Sequence, residues 1–261
     1  MQTEIQSSLD EIESTEGVRI LFACESGSRA WGFESTDSDY DVRFIYVRPR
    51  DWYLSIEEGR DVIERPIDDV LDVSGWDLKK ALVLMRKSNP PLLEWLRSPI
   101  VYRKDDSATE KLRSMADKCY SPVSCFHHYL SMARGNFRDY LEREDVRLKK
   151  YFYVLRPVLA CNWIEREIGP VPMEFEAMLN EVIPSGNIRS DIDDLLEKKR
   201  SSGELDRGPR IPSIHEYLES EIRRLSEKEP PPPRKDELTG ELNDLFRELV
   251  LSSHRSQVGK K

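Results

Sequence analysis

Gly27-Ser28, ten further residues, and then Asp39-Tyr40-Asp41 opening the β-rich run DYDVRFIYV: this spacing limits most strongly what the chain can become. Residues two apart on a strand leave from the same face, so the Asp39 and Asp41 carboxylates are expected side by side. Two neighbouring anions repel, and they become useful when a divalent cation sits between them. Hard oxygen donors suit magnesium, which usually completes its shell with substrate phosphates rather than with a full protein cage. The Gly-Ser turn supplies the complementary half. Glycine lets a phosphate approach the backbone, and a serine hydroxyl with nearby N–H groups can bind it. A third carboxylate on a neighbouring strand would complete a two-metal arrangement. Asp72, set between apolar neighbours in Leu71-Asp72-Val73, is the candidate, because an unpaired carboxylate buried there is costly unless it binds something. Asp77 is its rival, although Gly75-Trp76-Asp77 reads as the first turn of a helix, where an acid is favoured anyway. An Asp-x-Asp pair alone in an acidic chain is usually a solvated edge; Gly27, Ser28 and Asp72 give the metal reading its weight.

Hydrophobic periodicity divides the chain. Val18–Cys24 and Asp39–Val47 read as strands, Arg60–Arg65 and Val70–Val73 as shorter ones, and together they predict a small mixed sheet. Residues 1–16 suit a short amphipathic helix or a frayed arm. From Trp76 the period turns helical until Asn89-Pro90-Pro91 stops it, and Leu92–Leu96 adds a short helix. Beyond about residue 105 the patterning is helical throughout, with Ser121–Arg134, Phe137–Glu144, Val146–Ile168, Met173–Val182, Asp191–Lys199 and His215–Ser226 as helices. Pro230–Pro233 predicts an extended linker over 229–235, followed by a terminal helix from Asp236 to Leu251. The expected fold is therefore α+β, a sheet domain over 1–105 followed by an all-helical domain over 106–261.

Net charge is -9, so the molecule as a whole has no basic field that points to nucleic acid, and a polyanion would need a local patch. The four cysteines are far apart and form no CxxC or Cys/His ligand spacing, which argues against a disulfide framework and a zinc site. The acidic, polar N-terminus lacks signal-peptide character and no apolar run reaches membrane-spanning length, so a cytoplasmic protein with no membrane partner is expected.

The strings ESGSRAWGFESTDSDYDVRFIYV and DVSGWDLKKALVLMRKSNPPLLEWLRSPIVY closely resemble the predicted nucleotidyltransferases of the DNA polymerase β superfamily, in the branch that includes RNA-ligase-associated polymerase-β-like proteins. The resemblance is strong over residues 20–103. It implies a polymerase-β-like nucleotidyltransferase domain over 1–105 in which Gly27 and Ser28 contact nucleotide phosphates. It also implies that Asp39, Asp41 and, by its place on a less regular strand, Asp72 are catalytic and hold two Mg²⁺ ions, with Mn²⁺ as a substitute.

In the helical half, Lys149, Tyr153 and Arg156 are spaced to share one helix face, with Lys150 beside them. A row of cation, aromatic ring and cation can bind a triphosphate and stack a base; solvated lysines above a packed Tyr153 and Arg156 are the equal alternative. Arg29 can reach a triphosphate from the first helical turn, and Arg43 continues the Asp39–Asp41 face and offsets its charge, with a structural salt bridge the alternative for both. The expected activity is transfer of NMP from an NTP such as ATP to a hydroxyl, with pyrophosphate released. The acceptor is an RNA end, a small molecule or a protein side chain, and the oligomeric state is left open. The competing reading is a non-catalytic nucleotide-sensing or antitoxin-like module that docks a partner protein.

Overall fold

The computed structural model describes residues 1–65, 70–201, 207–228 and 237–258, with side chains through 252. In chain order these form α1 (Gln2–Glu16), β1 (Arg19–Ser26), the single turn α2 (Ser28–Trp31), β2 (Tyr40–Val47), the single turn α3 (Arg50–Tyr53), β3 (Val62–Glu64) and β4 (Leu71–Asp77). There follow α4 (Leu78–Arg86), α5 (Pro90–Leu96), β5 (Val101–Lys104), α6 (Asp106–Cys119), α7 (Pro122–Leu141), β6 (Asp145–Arg147) and α8 (Lys150–Glu165). The remainder is α9 (Phe175–Val182), α10 (Asn187–Ser201), β7 (Arg207–Pro209), α11 (Pro212–Glu227) and α12 (Thr239–Val258). The fold is α+β, with a small mixed sheet and a helix-rich remainder. It divides into two compact units whose chain segments interleave: 1–27, 39–120 and 235–261 form one, 28–38 and 121–234 the other. The proline linker expected over 229–235 falls outside the described residues.

In the first unit the strands run in the order β3-β4-β2-β1-β5. β2 pairs parallel to β4, and every other neighbouring pair is antiparallel. One sheet face is closed by α1, whose Ile5, Leu9 and Ile12 lie a helical turn apart and pack into a buried cluster with Ile20, Val42, Phe44, Tyr46 and Val73. Alternation along β2 sends Val42, Phe44 and Tyr46 into that cluster and leaves Asp41 and Arg43 on the opposite face, which turns apolar again at Ile45 and Val47. Gly75 lies opposite Phe44 in the parallel register, and the Phe44 ring fills the place of a side chain, since a Cβ there would come within 2.3 Å of it.

The β4-to-α4 junction is fixed by Asp77. Its Oδ1 accepts the Lys79 N–H at 2.8 Å and so caps α4, while its Oδ2 accepts the Tyr53 hydroxyl at 2.7 Å. Asn89 caps α5 through the Leu92 N–H at 3.3 Å, with Pro90 in the first turn, where its missing N–H costs nothing. All four cysteines are buried.

In the second unit, α7 runs unbroken through Gly135 where two helices were expected. α8 starts four residues later than its pattern predicts: Asp145–Arg147 pairs antiparallel with Arg207–Pro209 as a two-stranded ribbon. Strand β5 and helix α6 are further elements that periodicity did not single out. An aromatic nucleus joins segment 28–38 to the helices, with Phe33 stacked on Phe152 at 4.7 Å between ring centroids and edge-on to Phe175 at 5.4 Å. Among the described residues no helix is long and apolar enough to cross a membrane.

Burial raises the Asp77 carboxyl above its ordinary value of 3.8, so ionising it works against folding. That stability contribution is complete below the unfolded value and is lost as pH climbs through the raised folded one. Asp77→Ala, which removes cap and acceptor together, should lose about 1–2 kcal/mol in urea melts. Asp77→Asn, an uncharged acceptor, should gain on the parent as pH rises from about 4 towards neutrality. Equal melts for the Ala variant and the parent would show that Asp77 caps nothing of consequence.

Candidate active site

The antiparallel register of β1 and β2 brings Ser26 opposite Asp41, which sets the following residue, Gly27, against the Asp41 carboxylate. Gly27 has φ of 74°, a left-handed conformation that glycine adopts without strain. The second requirement is space: a Cβ on Gly27 would fall 2.1 Å from Asp41 Oδ2. Glycine at position 27 therefore answers both a backbone and a carboxylate demand.

The parallel register of β2 and β4 pairs Asp41 with Asp72, so these two carboxylates leave the sheet on one face from neighbouring strands. Arg43, two residues along the same face, lies between them. Its Nη2 donates to Asp41 Oδ1 at 3.2 Å and to Asp72 Oδ2 at 2.7 Å, and its Nη1 donates to the carbonyls of Val42 and Asp72 at 3.1 Å each. Burial raises the Asp41 carboxyl above the ordinary aspartate range; Arg43 opposes this, while the charges of Asp72 and Asp39 reinforce it. Asp39 lies one residue before β2 and is exposed. Its charge is felt at Asp41, so the three acids form one electrostatic group.

Asp77 pairs with Tyr46, five positions further along β4 than Asp72 and therefore on the other face, where it is engaged in capping and by Tyr53. Glu64, on edge strand β3, is paired with Arg60. Asp72 is thus the acid that the fold brings to Asp41.

Glu25 is the residue that sequence reasoning passed over. Its side chain is wholly buried, its Oε1 accepts the backbone N–H of Asp41 at 2.8 Å, and its Oε2 accepts the Tyr102 hydroxyl. Ser98 Oγ donates to the Glu25 carbonyl at 2.7 Å. Glu25 thereby fixes the start of β2 from the neighbouring strand. An acid directly after the apolar run VRILFAC was the available signal, since a carboxylate continuing a buried strand must be paired.

The remaining predicted contacts lie in the other unit. Ser28 and Arg29 open α2 and are half-buried, and Arg29 Nη2 donates to the Ser38 carbonyl at 2.6 Å, closing the 28–38 segment. Trp31 at the end of α2 meets the face of α8 on which two of the predicted residues lie. Its ring is edge-on to Tyr153 at 5.9 Å and lies beneath the Arg156 guanidinium at 4.8 Å. Arg156 is 3% exposed and donates to the Met173 carbonyl, whereas Tyr153 is 39% exposed and Lys149, just before α8, is half-buried. The spacing thus yields one face, with Arg156 packed at its base and Tyr153 open to solvent.

Among the described residues no three His, Cys, Asp or Glu side chains stand ready as a complete metal cage. The donor chemistry nevertheless fits magnesium. Asp41 and Asp72 offer two hard carboxylates on one face, Asp39 adds a third charge, and magnesium commonly uses one or two carboxylates with phosphate and water oxygens. The Arg43 guanidinium already bridges Asp41 and Asp72 by charge, as a cation between them would.

Arg43→Met should therefore lose roughly 1–3 kcal/mol in the presence of EDTA, because two facing carboxylates lose their shared donor. Its melting temperature should rise with added Mg²⁺ by more than that of the parent. An Arg43→Met protein as stable as the parent in EDTA would show that the carboxylates do not repel appreciably.

The profile of the RNA repair pathway DNA polymerase beta family matches residues 1–248. An uncharacterised protein of Bacillus subtilis (strain 168), YcgL, is 50% identical over 252 residues, covering 96% of each chain. A crystal structure of a nucleotidyltransferase-like protein from Exiguobacterium sibiricum 255-15 is similar over 86% of this chain and 75% of that one. Its identity is 14% and its TM-score 0.31, a likeness too distant to support any inference. The family profile, by contrast, spans nearly the whole sequence, and on that extent the chain belongs to the RNA repair pathway DNA polymerase beta family.

Proposed function

We infer that this protein is a magnesium-dependent nucleotidyltransferase that moves NMP from an NTP to a hydroxyl at an RNA end and releases pyrophosphate. The observation that carries the reading is the Asp41–Asp72 pair across the parallel β2–β4 register, with Gly27 lying against the Asp41 carboxylate. The choice of RNA as acceptor draws on the family, whose description places it in RNA repair.

Bound to these acids, two Mg²⁺ ions, or Mn²⁺ in their place, would supply charge neutralisation for the triphosphate and a lowered pKa for the acceptor hydroxyl. Asp41 and Asp72 would hold the ions, with Asp39 as the third carboxylate. The acceptor oxygen forms a bond to the α-phosphorus as the bond from the α-phosphorus to the bridging oxygen breaks, and pyrophosphate leaves with that electron pair. The hydroxyl proton passes to the Asp72 carboxylate. Gly27 and Ser28 contact the nucleotide phosphates, Gly27 through its bare backbone and Ser28 through its hydroxyl. Arg29, Lys149 and Tyr153, which belong to the other compact unit, are candidate nucleotide contacts by sequence alone, and there Arg156 holds the Trp31 ring. Glu25 positions Asp41 through its backbone N–H and touches no substrate.

Incubation with an α-³²P-labelled NTP, Mg²⁺ and an RNA bearing a free 3′ hydroxyl should transfer label to the RNA. Asp41→Asn should fold and lose roughly 10²–10⁴-fold in rate, since several kcal/mol of charge stabilisation go with the ligand. Asp72→Asn should lose transfer while retaining most of its Mg-NTP affinity. Full activity in Asp39→Asn/Asp41→Asn would end the metal assignment, and full activity in Asp72→Asn would end that of the third acid.

A further inference from the structure

A second site lies wholly within the helix-rich unit, where the β6–β7 ribbon meets the end of α7 and the start of α8. A cavity of about 210 Å³ is lined there by Arg143, Arg147, Lys150 and Arg207 together with Tyr140 and the acids Asp139 and Asp145. Both acids already have partners: Asp139 accepts from Arg138 Nε at 3.0 Å, and Asp145 from Arg207. The cationic excess is thus local, in a chain whose net charge is -9.

Two features of this pocket work against the stability of the protein alone. Arg147 stands directly opposite Arg207 in the antiparallel ribbon, and like charges opposed across two strands are unfavourable, a cost that the Arg207–Asp145 pair offsets only in part. Lys150 is held between two rings, its Nζ 4.3 Å from the centre of Tyr140 and 4.2 Å from that of Tyr153. Burial lowers its pKa, and Lys149 and Arg147 push the same way. A phosphate in the pocket would relieve both the Arg147–Arg207 opposition and the crowding at Lys150.

We propose that the Arg147–Arg207–Lys150 pocket binds the phosphodiester backbone of a single RNA strand, with the half-exposed Tyr140 ring in its lining as a stacking surface for a base. The cations are spread along a ribbon and two helix ends instead of converging on one point, which suits a chain of phosphates better than one triphosphate. A tyrosine ring stacks on any base, so binding should be tolerant of sequence. The assignment rests on the reading of an RNA acceptor given above.

The test is fluorescence anisotropy of a fluorescein-labelled single-stranded oligoribonucleotide with the full-length protein in EDTA and without nucleotide, so that binding is read independently of transfer. The parent should bind with salt-dependent affinity. Arg147→Glu and Lys150→Met should each weaken binding at least ~10-fold and make the salt slope shallower by about 1, while Arg147→Lys should stay within a few-fold of the parent. Arg147→Glu faces Arg207 with the opposite charge, so its melting temperature should equal or exceed that of the parent, which separates lost binding from lost fold. Unchanged RNA affinity in both variants would overturn the proposal. So would unchanged RNA affinity accompanied by weaker binding of a fluorescent ATP analogue, which would make the pocket a triphosphate site. If RNA binding depends on these residues while the parent transfers no label in the assay above, the pocket stands and the transferase reading fails.

Discussion

Asp41 and Asp72 stand across from one another in a parallel register that leaves them no freedom to part. β2 and β4 are hydrogen-bonded neighbours and the side-chain period of two fixes both carboxylates on the same face. Their mutual repulsion is a cost of this fold whether or not a ligand is bound, and Arg43 offsets it by donating to both. Much of the sheet unit is arranged around that conflict. Glu25 fixes the backbone of Asp41 from β1, Gly27 gives up its side chain to make room for an Asp41 oxygen, and Gly75 gives up its own to Phe44 on the core side of the same strand pair. A slip of one residue between β2 and β4 would turn Asp72 to the apolar face and Val73 to the polar one, so the core formed with α1 and the acid pair depend on a single register.

The sheet half was legible because its signals are local. Alternation in DYDVRFIYV reported a strand with one polar-tipped face, and the spacing from Gly27-Ser28 to Asp39 and Asp41 carried the site. Burial cost and helix-start chemistry favour Asp72 over Asp77 in the sequence, and in the fold the two acids differ in what they hold. Asp72 shares Arg43 with Asp41, whereas Asp77 caps α4. Glu25 escaped because its role depends on Tyr102 and on Asp41, partners 77 and 16 residues away, and pairing at that distance leaves no trace in periodicity. The β6–β7 ribbon escaped for a similar reason. Val146 fits a helical stripe as well as a strand, and only pairing with Arg207–Pro209 decides between them.

Net charge describes the whole chain and says nothing of a local patch. In this acidic chain the ribbon places Arg147 against Arg207 and brings Lys150 between two tyrosines. The row of Lys149, Tyr153 and Arg156 divides in depth as well: Arg156 lies under Trp31 inside the aromatic packing, and Tyr153 reaches solvent. Helical spacing identifies a shared face, but the depth of each residue on it is set by the neighbouring segment, here the turn that carries Trp31 after Ser28.

The nucleotidyl transfer proposed for this site would need a divalent cation held by Asp41 and Asp72, the two acids that share Arg43 here. A crystal of the full chain grown with Mn²⁺ and a non-hydrolysable NTP analogue, with anomalous scattering recorded for manganese, tests this most directly. The predicted result is an anomalous peak in contact with carboxylate oxygens of both Asp41 and Asp72, and an Arg43 side chain withdrawn from between them. Arg43 still bridging the two acids, with manganese absent or bound elsewhere, would contradict it.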